Sequence, residues 1–144
     1  MADQALQKPI QDSTQYRRRF TLIGRLKSFD YALRGVLLML KSQHNAWLHA
    51  VATLLVVLIG RMVCHLSSGE WCALVLAIMA VWTAEALNTA LEFLADVASP
   101  EFHPLVEKAK DVAAGAVLIS ATGSVVIALL VFGPYVQELF KATP

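Results

Sequence analysis

The chain has 144 residues, of which 57% are hydrophobic and 16% charged, with a formal net charge of +1. For so short a protein that balance excludes an ordinary soluble domain and points to a compact membrane protein. Charge is also unevenly placed: Lys8, Arg17, Arg18, Arg19, Arg25, Lys27, Arg34 and Lys41 precede the first long apolar stretch, and the remaining basic residues are Arg61, Lys108, Lys110 and Lys141. No aromatic-interleaved basic fold accompanies this cluster, so nucleic acid is not an expected partner. It reads instead as a positive-inside signal that places the N-terminus in the cytoplasm.

Residues 1–20 are polar, end in the basic cluster and lack the apolar run of a signal peptide, so a mobile tail is expected there, ahead of one membrane domain over 21–144. Arg25, Lys27, Asp30 and Arg34 interrupt the apolar residues of the next segment. This predicts an amphipathic surface helix over 22–42, too charged to span but suited to the interface. The first span is expected at about 46–66, with His49 near its start and Arg61 and His65 near its end, where snorkelling makes charge tolerable. Ser67-Ser68-Gly69-Glu70 is expected to be the tight turn before a second span over 71–98. Ser99 to Lys108, with Pro100 and Pro104, predicts a loop or broken helix start, and a third span follows at about 109–136.

From Val112 to Val136 no residue is charged, enough to cross with some tilt. The small residues Ala113-Ala114-Gly115-Ala116 and Ser120-Ala121-Thr122-Gly123-Ser124 favour close helix packing. The expected fold is thus an all-α integral membrane bundle: three transmembrane helices plus an N-terminal amphipathic surface helix. Its N-terminus would be inside and its C-terminus outside. Three helices bury little surface, so an oligomer is expected to complete any polar site. Cys64 and Cys72 lack metal-ligand spacing and read as inert thiols, with a disulfide left open should their loop face an oxidising compartment. His49 reads as an interfacial packing residue, and Trp47, Trp71 and Tyr135 as membrane-interface anchors.

The second span carries Glu85, Asn88, Glu92 and Asp96, at spacings of three, four and four. At roughly 100° per residue they fall within about 80° of one another and form one acidic stripe. Carboxylates facing hydrocarbon cost several kcal/mol each, so the stripe is expected to face a bundle interior, a metal ion or a wet cavity. Glu85 lies about 21 Å along the helix from Trp71 and Glu92 about 32 Å, so the stripe approaches the cytoplasmic face. A polyanionic groove meeting the membrane there suits divalent cations carrying phosphates.

The segment EALNTALEFLADVASPEFHPLVEKAKDVAAGAV, Glu85 to Val117, closely resembles the signature of the small bacterial membrane kinases, the diacylglycerol kinase and undecaprenol kinase family. Upstream, RLKSFDYALRG from Arg25 to Gly35 and the Asn45 and His49 pair resemble that family's surface helix and the start of its first span. The likeness covers about residues 22 to 140. It implies an inner-membrane homotrimer with shared active sites that transfers the γ-phosphate of magnesium ATP to a lipid hydroxyl. Diacylglycerol, giving phosphatidic acid, is the first expected acceptor and undecaprenol the alternative.

Position by position, the resemblance makes Glu85 the general base that contacts the lipid hydroxyl, and Asn88 the residue that orients base or substrate. Glu92 matches the metal-binding carboxylate, a hard oxygen donor of the kind Mg2+ takes. Asp96 would extend the stripe toward nucleotide, Glu101, Phe102 and His103 align with nucleotide-contacting positions, and Lys110 would hold phosphate beside Asp111. Tyr31 and Arg25 would cover the nucleotide and the lipid headgroup. Plainer readings stand beside these: a solvated helix end for Asp96, an interfacial anchor and a dipole partner for Lys110 and Asp111, and an ordinary loop residue for His103.

One position departs from the family pattern. Where a second metal-binding glutamate is common, this chain has Gln43, whose amide oxygen can coordinate but cannot neutralise a cation. No glycine-rich phosphate loop of the Walker type is present, so catalysis would rest on positioning and charge neutralisation. A non-catalytic alternative, an ion-conducting or assembly subunit, has no use for a phosphate-binding lysine beside a His-containing loop.

Overall fold

The computed structural model describes residues 21–62 and 64–142, and is helical without a strand among them. The expected basic tail, 1–20, lies outside the described residues. Four helices follow in order: α1 (Leu22–Ser42), α2 (His44–Met62), α3 (Ser68–Ala98) and α4 (Pro104–Ala142). The last three are long and apolar enough to cross a membrane. The chain divides into two units between Arg34 and Gly35, inside α1. In the unit before that boundary Ile23, Leu26, Phe29 and Leu33 are all exposed, and Arg34 pairs with Asp30 at 2.7 Å.

The second unit is organised by α3, which packs along α4 and more lightly on α2. Its buried residues Leu74, Ala77, Val81, Glu85 and Asn88 recur at helical spacing. Facing them, α4 buries Ala113, Val117 and Val131. Glu85 and Asn88 therefore continue the same stripe that packs the bundle, which is why they turn inward instead of toward lipid. Hydroxyls stitch the seams: Ser124 on α4 donates to the Ala77 carbonyl at 3.1 Å, and Trp82 Nε1 on α3 donates to Thr53 Oγ1 on α2 at 3.1 Å. At about 0.6 kcal/mol apiece in a membrane such bonds set register more than they add stability. Of the small residues on α4, Ala113 is buried and Ser124 bonds to α3, whereas a Cβ at Gly115 or Gly123 would meet nothing among the described residues.

Two boundaries differ from expectation. Ser67-Ser68-Gly69-Glu70 is not a turn but the start of α3: Ser67 is the N-cap, its backbone and hydroxyl donate to the Glu70 carboxylate, and its Oγ accepts from the Glu70 N–H. That reciprocal capping box satisfies donors that a helix end leaves unpaired. The chain turns instead before Ser67, where His65 adopts a positive φ of 42°. Likewise α4 begins at Pro104, earlier than the expected 109. Tyr135 is more than an interface anchor, because its hydroxyl also donates to Glu70 and ties α4 to the first turn of α3. Trp71 in turn lies over Gly60, where an added Cβ would come within 3.0 Å of its ring and 2.8 Å of Leu66. Both cysteines are free, Cys64 buried and Cys72 exposed. Burial, and secondarily the Glu70 carboxylate, push the Cys64 thiol up, which keeps it protonated and unreactive.

Candidate active site

The α2–α3 seam is a ladder of polar pairs. Deepest is the Trp82–Thr53 bond. One turn nearer the α3–α4 loop, His49 Nε2 stands 3.8 Å from Glu85 Oε2. Two further turns on, Gln43, the single residue joining α1 to α2, donates its amide to Glu92 Oε2, while Asn88 Nδ2 donates to Glu92 Oε1 at 3.0 Å. Gln43 and His49 are six positions apart, and Glu85 and Glu92 are seven. Both steps are about 9–10 Å, so the antiparallel helices keep these pairs level.

Burial falls steadily along the stripe. Glu85 is 1% exposed and Asn88 7%. Glu92 is half-buried and Asp96 exposed. Neither carboxylate oxygen of Glu85 and not the Asn88 Oδ1 has a hydrogen-bond partner among the described residues. Such atoms cost about 1–3 kcal/mol each when left unpaired, more when charged, so a site that keeps three of them is organised for something other than stability.

Beyond Glu92 the loop between α3 and α4 folds into a cleft of about 410 Å³ that brings together Asp96, Glu101, Phe102, His103, Lys110 and Asp111. His103 has a local role that the sequence reading missed: its Nδ1 accepts from the Leu105 N–H at 3.2 Å, and its carbonyl accepts from Val106 and Glu107, so it caps α4 just before Pro104. In the neutral ring that leaves Nε2 as the donor. Lys110 Nζ meets Asp96 Oδ1 at 3.0 Å, with both side chains partly exposed. Exposed pairs of this kind contribute about 0–1 kcal/mol, so an incoming phosphate can take over the lysine at small cost. Arg25 and Tyr31 lie exposed on α1, in the other unit.

The cleft lining carries four carboxylates, Asp96, Glu101, Glu107 and Asp111, against one lysine, Lys110. It would repel a bare polyphosphate and suits one already carrying a divalent cation. Among the described residues no three His, Cys, Asp or Glu side chains converge on a metal position. The donors nonetheless fit magnesium, which takes one or two carboxylates and completes its shell with substrate phosphates and water. Glu92 with the Gln43 amide supplies the first, and the unpartnered Asn88 Oδ1 beside them is a further hard oxygen.

Residues 30–132 match the family described as prokaryotic diacylglycerol kinase. That match contains every candidate site residue from Tyr31 to Asp111 and leaves out Arg25. The chain is 38% identical over 123 residues to an undecaprenol kinase of Bacillus subtilis, covering 85% of this chain and 98% of that one. It is 36% identical over 103 residues to a diacylglycerol kinase of Synechocystis, covering 71% of this chain and 58% of the relative. A diacylglycerol kinase of Helicobacter pylori is 35% identical over 71 residues, 49% and 52% of the two chains.

Proposed function

The chain belongs to the prokaryotic diacylglycerol kinase family, a family of membrane lipid kinases, and we propose that it transfers the γ-phosphate of magnesium ATP to the primary hydroxyl of diacylglycerol, with Glu85 as general base. The observation that carries this reading is the buried Glu85 carboxylate, neither oxygen of which is hydrogen-bonded among the described residues, on the helix that also bears Glu92 and leads to the Lys110 cleft. A carboxylate without internal partners is available to a hydroxyl proton, and Asn88, one turn on, has a spare carbonyl with which to orient the acceptor.

Nucleotide phosphates would reach from the cleft toward Glu92, with Lys110 released from Asp96 to hold them as a point charge and Asp111 beside it. Glu101, Phe102 and the capped His103 form the loop side of that cleft. Magnesium held by Glu92 and Gln43 supplies charge neutralisation of the phosphates when bound. Glu85 and Glu92 are seven positions apart on α3, about 10 Å along the helix, which would leave room between them for a phosphoryl group and an acceptor oxygen. The acceptor then enters from the bilayer side, where Glu85 is deepest.

Undecaprenol as acceptor is a second reading, favoured by the nearly end-to-end match to the Bacillus subtilis enzyme. Transfer of radiolabelled phosphate from magnesium ATP in mixed micelles tests both. Label is expected in diacylglycerol; preferential label in undecaprenol selects the second reading, and a folded, magnesium-supplied protein that labels neither lipid overturns the kinase reading.

We further propose a homotrimer in the bacterial inner membrane, supported by an open apolar groove of about 630 Å³ between α3 and α4 that has Asn88 in its lining. The eight basic residues before α2 support a cytoplasmic N-terminus, α1 at the cytoplasmic interface, the 99–103 loop inside and the C-terminus outside. In a chain with Cys64 and Cys72 replaced by serine, a cysteine at Ser68 is expected to react with an impermeant maleimide in intact cells and one at Ser99 to resist it. Labelling at Ser99 would put the cleft on the side without ATP.

A further inference from the structure

A base buried as deeply as Glu85 has to release the proton it accepts before it can act again. Direct loss to water is closed off, because the side chain is 1% exposed. The polar groups around it on each packed element are few, and most are engaged elsewhere. On α3, Asn88 Nδ2 is held by Glu92, and Thr89 Oγ1 donates to the Glu85 backbone carbonyl. On α4, Ser124 sits level with Ala77, eight positions from Glu85 along α3, and donates to the carbonyls of Ala77 and Ser120. From α2, His49 points its Nε2 at Glu85 Oε2 across 3.8 Å, and it is 18% exposed where Glu85 is not. The imidazole also lines a cavity of about 190 Å³ together with Thr53 and Ser124. Of these groups the imidazole alone has two ring nitrogens, so that a proton can enter at one and leave from the other.

We infer that His49 is the proton-exit group of the site, taking from Glu85 the proton of each phosphorylated hydroxyl and delivering it to water. The inference rests on the reading of Glu85 as base. As the acceptor oxygen bonds to the γ-phosphorus, the bond from phosphorus to the ADP oxygen breaks and the hydroxyl proton passes to Glu85. The carboxylic acid then gives that proton to His49 Nε2, and the imidazolium loses a proton to water, which restores a charged Glu85 and a neutral ring. Because 3.8 Å exceeds a hydrogen bond, the transfer needs a small side-chain rotation or one bridging water. His49 acts through Glu85 and touches no reacting atom; it is a positioning and relay residue.

A relay matters only from the second turnover onward, which separates it from a packing role. His49→Gln and His49→Ala are therefore measured in two ways: single turnover with enzyme in excess over ATP, and steady state. The single-turnover rate is expected to stay within about twofold of the unsubstituted chain, which also shows that the variants are folded, while steady-state turnover falls about tenfold or more. Added imidazole, a small diffusible carrier, is expected to recover much of the steady-state rate of His49→Ala. Steady-state rates within twofold of the unsubstituted chain, or single-turnover and steady-state rates that fall together and ignore imidazole, would overturn the inference and leave the kinase reading standing. An unsubstituted chain that labels no lipid removes both.

Discussion

Replacing Glu85 with glutamine is expected to lower lipid phosphorylation by about 100-fold or more while leaving the apparent affinity for magnesium ATP nearly unchanged. Glutamine keeps the shape and loses the basic oxygen. The Glu85 carboxylate touches no cleft residue, and two turns of α3 separate it from Glu92. An effect on nucleotide binding therefore has no short route. Stability gives an independent check, since neither oxygen of Glu85 is hydrogen-bonded among the described residues. Replacing the carboxylate by the amide breaks no hydrogen bond there, so the variant is expected to unfold in detergent no more readily than the unsubstituted chain. Rate measured against magnesium ATP decides the matter: a loss confined to affinity, with turnover intact, would make Glu85 a binding residue and not the base.

Much of this arrangement was legible before the structure, for identifiable reasons. Helix length and hydropathy announce three spans, and a four-residue acidic stripe within a span has few places to go but inward. The inward face follows from Leu74, Ala77 and Val81, whose spacing runs straight into Glu85 and Asn88. Local signals at the helix starts were present and overlooked. Ser67 three residues before Glu70 is the sequence form of a capping box, and His103-Pro104 is a cap followed by a proline at the first helical position. Reading 67–70 as a turn missed the first of these.

The pairings across helices were not available from the sequence alone. Nothing in the sequence of α2 sets its register against α3, so His49 read as a packing residue, and its place 3.8 Å from Glu85 emerges only from the antiparallel packing. Gln43 was singled out through the family resemblance, yet its contact with Glu92 depends on a single-residue junction between α1 and α2. The cleft around Lys110 is intermediate: its members are close in sequence, but the helix reversal at 99–103 is what brings Asp96 opposite Lys110.

Glu92→Gln is expected to fail in a different manner from Glu85→Gln, weakening the apparent affinity for magnesium ATP as well as the rate. Two amides already surround the Glu92 carboxylate, Gln43 on one oxygen and Asn88 on the other. Removing its charge would leave three neutral side chains facing an incoming cation. Because that cation contributes to ground state and transition state alike, KM for magnesium ATP is expected to rise and turnover to fall, each by about tenfold or more. The converse substitution, Gln43→Glu, replaces an amide donor to Glu92 with a second carboxylate. Without a cation the two charges repel at hydrogen-bonding distance, and with one both become ligands, so the apparent magnesium requirement is expected to move to lower concentration. Activity titrated against free magnesium at saturating ATP distinguishes the cases. A Gln43→Glu chain whose magnesium dependence is unchanged or shifted upward would mean that Gln43 serves only to hold Glu92 in place, and that the cation rests on Glu92, Asn88 and the phosphates.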